Sequence, residues 1–180
     1  MKKPKLLLHT CCAPCSGFLA GELSKQFEVT IFFSNSNIWP QDEYLIRLEE
    51  AKRFFKSEGF EFLVDDYDHD NWLEAVKGLE NEPERGERCA VCYRYRLKGV
   101  AKRASDEGFD IFGSTMSISP HKVFSLLSKI GNDLSREYDV GFLDKDFKKE
   151  DGFKRAMAYS KECGFYHQNY CGCEFSRRKK

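Results

Sequence analysis

The sequence lacks an excess of charge of either sign and lacks any long apolar run. Its 29 Lys and Arg residues balance 29 Asp and Glu residues, so no overall field favours a nucleic-acid or membrane partner. No stretch approaches the ~18–20 apolar residues of a membrane helix. The three leucines that follow Lys5 are too few for a signal peptide. We therefore expect a cytoplasmic protein with no membrane span.

No internal repeat, low-complexity segment or linker interrupts the 180 residues. Short apolar segments alternate with segments of helical period, which is typical of βαβ units and a parallel sheet. The sequence predicts one α/β domain over residues 1–180, a three-layer Rossmann-like parallel sheet, with residues 164–180 as an irregular tail. The predicted strands are Leu6–Leu8, Glu28–Phe33, Phe60–Val64, Phe109–Gly113 and Asp139–Leu143.

The helical segments are marked by apolar stripes and by turn residues. Tyr44, Leu48, Ala51 and Phe55 recur at helical spacing, and Gly59 follows them as a stop signal. The other predicted helices are Phe18–Gln26 with Ser16 as N-cap, Trp72–Leu79, a long helix from Cys89 to near Gly108, a helix with Pro120 in its first turn, and Asp151–Cys163.

A loop with three thiols follows the first predicted strand. Cys11, Cys12 and Cys15 lie within five positions of one another, where an open α/β sheet binds its ligands. The chain has eight cysteines, and in a reducing compartment such clusters indicate metal or redox chemistry rather than structural disulfides. This loop is therefore the predicted site.

A second thiol pair, Cys89 and Cys92, begins the long predicted helix. Residues three apart share a helix face, and a helix N-terminus favours the thiolate. Together with the loop, this pair gives five thiols for a four-thiolate centre. Zinc and a four-iron cluster both accept four thiolates, so the ligand residues do not decide between these two centres.

A third pair, Cys171 and Cys173, is separated by one glycine near the end of the chain. Such a pair either closes a small, strained, redox-active disulfide or chelates a metal ion. Cys163 stands alone on a predicted helix, and we expect it to be buried in the core.

Five segments, in order, resemble the QueH-type epoxyqueuosine reductases along nearly the whole chain. They are LLLHTCCAPCSG, FFSNSNIWPQDEYLIR, RCAVCYRYRL, FGSTMSISPHK and FYHQNYCGC. The resemblance implies reduction of the epoxide of epoxyqueuosine to the alkene of queuosine, on the wobble base of tRNA, with an unidentified electron donor. It also implies a fold similar to the PP-loop, adenine nucleotide alpha-hydrolase (HUP) group.

The resemblance further implies the roles of six cysteines. Cys11, Cys12, Cys89 and Cys92 correspond to the ligands of a [4Fe-4S] cluster. Cys171 and Cys173 correspond to the catalytic, redox-active tail pair, which acts either as a dithiol or as ligands of an additional iron ion. The role of Cys15 stays open.

Two positions bear on other ligands. His167 stands where the family pattern has Arg, so phosphate binding is not assigned there. The first loop lacks the SGGxDS form of nucleotide-cleaving relatives, and we expect no ATP use.

Other residues are candidates for contact with substrate. Exposed cations suit phosphate binding, and aromatic rings suit stacking on an unstacked base. The basic candidates are Arg94, Arg96, Lys98, Lys102, Arg103 and Arg177–Lys180; the aromatic candidates are Trp39, Tyr44 and Tyr166; and the candidate proton donors are His9, Tyr170, Asp65, Asp66 and Asp68. The basic residues equally fit a solvated helix face and chain terminus, His9 equally fits a hydrogen-bonded structural residue, and the aspartates are typical of a solvated turn.

Two interpretations from other classes are open. Cys12-Ala13-Pro14-Cys15 follows a strand and opens a helix, as in thioredoxin-like oxidoreductases, but this leaves the other thiol pairs unexplained. A non-catalytic zinc module that docks RNA or protein would use the same thiols as ligands.

Overall fold

A computed structural model describes residues 2–177 and has a parallel sheet at its centre. Its order is β3-β2-β1-β4-β5, and every neighbouring pair is parallel. The run Leu6–Leu8 lies in the central strand, where both faces of the sheet are covered and continuous apolar sequence is expected. The strands are β1 (Lys5–Thr10), β2 (Glu28–Phe33), β3 (Glu61–Val64), β4 (Ile111–Ser114) and β5 (Gly141–Phe142).

The described residues form six α-helices, five of which cover the two faces of this sheet. They are α1 (Ala13–Ser24), α2 (Gln41–Ser57), α3 (His69–Ala75), α4 (Glu87–Asp106), α5 (Phe124–Tyr138) and α6 (Gly152–Glu162). Leu6 and Leu8 pack with α1, α2 and α6, whereas Leu7 packs with α4 and α5. Successive side chains of a strand point to opposite faces, so one short leucine run joins both halves of the core. The predicted three-layer α/β architecture is confirmed.

The apolar stripes predicted from helical spacing are buried. On α2, Tyr44, Leu48, Ala51 and Phe55 are all at most 9% exposed. Burying a large apolar side chain stabilises a fold by roughly 1.5–3 kcal/mol, so this stripe fixes α2 against the sheet. Gly59 follows α2 with φ +79°, the left-handed conformation that favours glycine after a helix.

The first helix starts earlier than the sequence predicted. It begins at Ala13, with Cys12 as N-cap and Pro14 in its first turn, a position where proline is favoured because its missing N–H is not needed. Ser16 is therefore not a cap. It is fully buried, and its hydroxyl lies 2.9 Å from the Thr115 hydroxyl.

Two other helix boundaries differ from prediction. Pro120 does not begin a helix: it follows a 3₁₀ helix (Thr115–Ile118), and α5 starts at Phe124. The predicted helix Trp72–Leu79 is α3, which begins at His69 because the Asp68 side chain accepts the Asn71 N–H and caps it.

Residues 164–177, here called the tail, contain a short 3₁₀ helix (Glu174–Ser176) and otherwise irregular backbone. The predicted basic terminus extends to residues 178–180, which lie outside the described residues. Within residues 2–177, no helix combines the length and hydropathy that crossing a bilayer requires.

Candidate active site

The three loop thiols converge at the carboxyl end of the central strand. Cys11 follows β1, Cys12 caps α1, and Cys15 lies in the first turn of α1. Their sulfur atoms lie within 4.8 Å of one another, and those of Cys11 and Cys12 are 3.7 Å apart. The predicted thiol cluster is therefore present, and it includes Cys15.

The pKa of each loop thiol depends on its contacts with the other two. Contacts with Cys12 and Cys15 hold the pKa of Cys11 well below its usual value. The contact with Cys11, together with burial, raises the pKa of Cys12 to about 12, and the contacts with Cys11 and Cys12 raise the pKa of Cys15 well above its usual value. Neighbouring thiolates repel one another, so further ionisation is costly without a cation. A metal ion supplies that charge and displaces the protons.

The helical pair lies in the first turns of α4. Cys89 and Cys92 are 9% and 8% exposed, and the Arg85 N–H donates to the Cys89 sulfur at 3.3 Å. Among the described residues, the compact thiol group consists of the three loop cysteines without this pair. Cys92 packs instead with Trp72 and with a cysteine of the tail.

That tail cysteine is Cys173, which is 6% exposed. Cys171 packs against the same cluster, and its sulfur lies 3.0 Å from the Ser176 hydroxyl. Both are free thiols, so the structure does not support a disulfide between them. The tail also reaches the loop, because the Gln168 side-chain amide donates to the Cys12 sulfur at 3.0 Å.

A lysine that the sequence analysis did not single out faces the tail thiol. Burial lowers the pKa of Lys122, but the nearby Cys171, Tyr93 and Cys92 more than offset this and raise it overall. Its ammonium group lies 5.6 Å from the centre of the Tyr93 ring. The only signal was its place in the FGSTMSISPHK segment.

Arg96 is buried beside the loop thiols, which corrects its prediction as an exposed phosphate ligand. It is 4% exposed, and its guanidinium donates to the Asn35 side-chain oxygen at 2.6 Å. Asn35 in turn donates to the Thr10 carbonyl at 2.8 Å. The Nε of Arg96 has no partner among the described residues. These partners are distant in sequence, so no local pattern indicates this buried network.

His9 is fully buried and has a hydrogen-bond partner at each ring nitrogen. Its ring nitrogens lie 2.9 Å from the Ser114 hydroxyl and 3.1 Å from the Ser34 carbonyl oxygen. Burial and the neighbouring Arg96 lower its pKa to about 3. A neutral imidazole here connects β1 with β4 and with the end of β2.

The other candidate proton donors also have structural partners. The Tyr170 hydroxyl donates to the Trp39 carbonyl at 2.5 Å. Asp65 accepts from the Ser34 hydroxyl at 2.6 Å, and Asp68 caps α3. Asp66 is exposed.

Two of the three aromatic candidates are accessible. Trp39 is 38% exposed and Tyr166 is 41% exposed, whereas Tyr44 is only 4% exposed and packs in the core. Tyr44 therefore cannot stack on a base. Arg177 lies 5.8 Å from the centre of the Trp39 ring, which places a cation beside an exposed stacking surface.

The basic face of α4 is largely paired with acidic side chains. Its exposed ion pairs are Arg94–Glu137, Lys102–Asp106 and Arg103–Glu107, at 2.8, 2.6 and 2.8 Å. Exposed pairs of this kind are weak, so phosphate can compete for these cations. The prediction that Cys163 is buried in the core is wrong, since this residue is exposed at the end of α6.

A surface cavity of about 470 Å³ lies between α1 and the segment that leads into α6. Its lining contains no cysteine, and its charged side chains are of both signs. This cavity is therefore separate from the predicted thiol site.

The sequence matches the family model described as Epoxyqueuosine reductase QueH over residues 6–179. Three similar curated proteins carry that same name. The one from Haemophilus influenzae is 45% identical and the match covers 97% of this chain and 72% of that protein. The one from Streptococcus pyogenes is 38% identical, covering 98% and 71%. The one from Thermotoga maritima is 33% identical, covering 97% and 93%.

Two solved structures share the fold. One is the U34-tRNA thiolase NcsA from Methanococcus maripaludis with its [4Fe-4S] cluster, at TM-score 0.63 and 15% identity, covering 99% of this chain and 63% of that one. The other is a predicted subunit of a tRNA methyltransferase from Methanocaldococcus jannaschii, at TM-score 0.60 and 12% identity, covering 86% and 76%. These similarities confirm the predicted α/β fold class.

Proposed function

The chain belongs to the epoxyqueuosine reductase QueH family, and we propose on that basis that it converts epoxyqueuosine in tRNA to queuosine. It is an oxidoreductase of tRNA modification. The observation that carries the proposal is the match of residues 6–179 to this family. A tRNA substrate would place the reaction in the cytoplasm, and the electron donor is a further partner to be identified.

The proposed metal centre is a [4Fe-4S] cluster held by Cys11, Cys12, Cys89 and Cys92. Thiolates are the ligands that such clusters require. The sulfur atoms of the three loop cysteines lie within 4.8 Å of one another. The raised pKa of Cys12 means that its sulfur holds a proton that a metal ion would displace. The NcsA structure has the same fold and contains such a cluster, so the architecture can accommodate one. When bound, the cluster would supply electrons one at a time.

The charges around the thiols fit this centre. A four-thiolate cluster is anionic, and an anion in a buried site needs nearby cations or donors. Arg96 is such a cation, and its Nε is buried without a partner among residues 2–177. The pKa of Arg47 is raised because, although burial lowers it, Glu43 and then Cys12 more than compensate. These residues would compensate the charge of the bound group.

The proposed catalytic pair is Cys171 and Cys173. Deoxygenation of an epoxide consumes two electrons and two protons and gives an alkene and water. As a dithiol, the pair balances this step, because two thiols become one disulfide and release both electrons and both protons. Its place beside Cys92 supports this role. Ligation of an additional iron by the same two thiols is the alternative role.

The first test is the iron, sulfide and zinc content of anaerobically purified protein, measured together with turnover. Substrate is tRNA carrying epoxyqueuosine, and the product is followed by mass spectrometry of the released nucleosides. About four irons and four sulfides per chain with queuosine formation would support the proposal, and about five irons would favour metal at the tail pair. Zinc without sulfide and without turnover would instead support the zinc-module interpretation.

A further inference from the structure

The tail is held by one side of α2 and by Trp39, the residue before the N-cap of that helix. The Trp39 N–H donates to the Gly172 carbonyl at 2.9 Å. Glu43 accepts from the Tyr166 hydroxyl at 3.0 Å, and Glu50 accepts the Tyr166 N–H at 2.8 Å. Positions three and four apart share a helix face, so α2 presents a continuous tail-binding face.

Arg47 lies at the centre of this face and is 1% exposed. Its Nε donates to Glu43 at 2.7 Å. Its two terminal nitrogens donate to the backbone carbonyls of Tyr170 at 3.3 Å and Cys171 at 3.4 Å. The guanidinium also lies 5.4 Å from the centre of the Tyr170 ring. Apart from Glu43, every one of these partners belongs to the tail.

The segment that Arg47 binds also contacts the loop thiols, since the Gln168 side-chain amide donates to the Cys12 sulfur at 3.0 Å. Arg47 therefore holds the tail just after that contact, at the backbone that carries Cys171. Burying a charge is unfavourable even when the charge is paired, and an apolar pair of similar size would stabilise the fold as well. The hydrogen bonds to the two tail carbonyls therefore account for a charged side chain at this buried position.

We propose that Arg47 is a positioning residue, which holds the Cys171–Cys173 pair at the thiol site by binding the two carbonyls in front of Gly172. This inference rests on the proposed function, since it assigns Arg47 a role through the catalytic pair. A planar guanidinium is required because it places several donors in a fixed fork. A lysine can keep the ion pair with Glu43 but cannot reproduce that fork.

The test is the alkylation rate of each cysteine in the full, reduced, anaerobic chain, measured by peptide mass spectrometry after iodoacetamide treatment. Cys163 is exposed and serves as the internal reference in every variant. The variants are Arg47→Lys and the double variant Glu43→Gln with Arg47→Gln, which leaves no uncompensated buried carboxylate. Arg136→Gln, from an exposed pair on α5, is the matched control.

We expect Cys171 and Cys173 to react about tenfold faster, relative to Cys163, in the double variant, because the tail opens locally. Arg47→Lys should give an intermediate rate, and Arg136→Gln the wild-type rate. In turnover, kcat should fall in the same order.

Wild-type relative alkylation rates in both Arg47 variants would overturn the inference, and so would a kcat unchanged by the double variant. A wild-type protein without turnover would instead refute the proposed function, and the alkylation pattern would still decide whether Arg47 positions the tail.

Discussion

Replacing Gly172 by alanine should uncouple the tail from the active site without unfolding the protein. Gly172 has φ +107°, and an added Cβ would lie 2.9 Å from Ile38 Cγ1 and 3.3 Å from an Arg47 terminal nitrogen. A side chain in such a conformation costs of order 1–3 kcal/mol before any steric contact is counted. The tail is held by a few hydrogen bonds worth about 0.5–1.5 kcal/mol each. The strain therefore exceeds one or two of them, and displacement of the tail relieves it.

We expect the Gly172→Ala variant to keep its iron content and visible absorbance but to lose turnover by about 10- to 100-fold, since a misplacement of about 1 Å can cost that much. Turnover is measured as queuosine formed in tRNA, alongside thermal unfolding. The matched control is Gly164→Ala in the same tail, where φ is +67° and nothing lies within 4 Å of the new Cβ. Equal turnover in the two variants, or wild-type turnover in Gly172→Ala, would refute the reasoning.

Three further predictions concern the proposed thiols and the exposed rings. Cys171→Ser and Cys173→Ser should each abolish queuosine formation and leave iron and sulfide content unchanged; loss of iron and sulfide together would show instead that the pair supports the cluster, and loss of about one iron alone that it binds an additional iron. Cys15→Ser should retain iron, because Cys15 is not among the four proposed ligands, and an iron-free variant would make it one. Trp39→Ala and Tyr166→Ala should each raise KM for tRNA by about 5- to 100-fold, because stacking of one base on an aromatic ring contributes about 1–3 kcal/mol to binding. An unchanged KM would exclude that contact.

The sheet and most helices were predictable because their signals are local. The unbroken apolar run Leu6–Leu8 and the helical spacing of the apolar stripe on α2 each predict burial from the local sequence alone. The thiol loop at the end of β1 was predictable for a related reason, since the order of elements in an α/β chain places that loop at the functional edge.

The fates of individual polar side chains were not predictable, because they depend on partners distant in sequence. Arg96 looked like one more cation on a basic helix, but Asn35, 61 residues away, holds it in the interior. Arg47 likewise shows the helical spacing of an ordinary surface residue and is buried by a tail more than 120 residues downstream. Ser16 resembled a cap until its buried partner Thr115 was known. Long-range pairing leaves no periodic signal in the sequence.

The position of the tail also dictates an order of assembly. The tail is the last described segment to leave the ribosome, and it docks on α2 and on the loop after β1, which are both made more than 100 residues earlier. Cys12 is only 1% exposed once Gln168 lies against its sulfur. The sulfur of Cys12 is therefore easier to reach before the tail docks, and the proposed cluster would be loaded most readily in that interval.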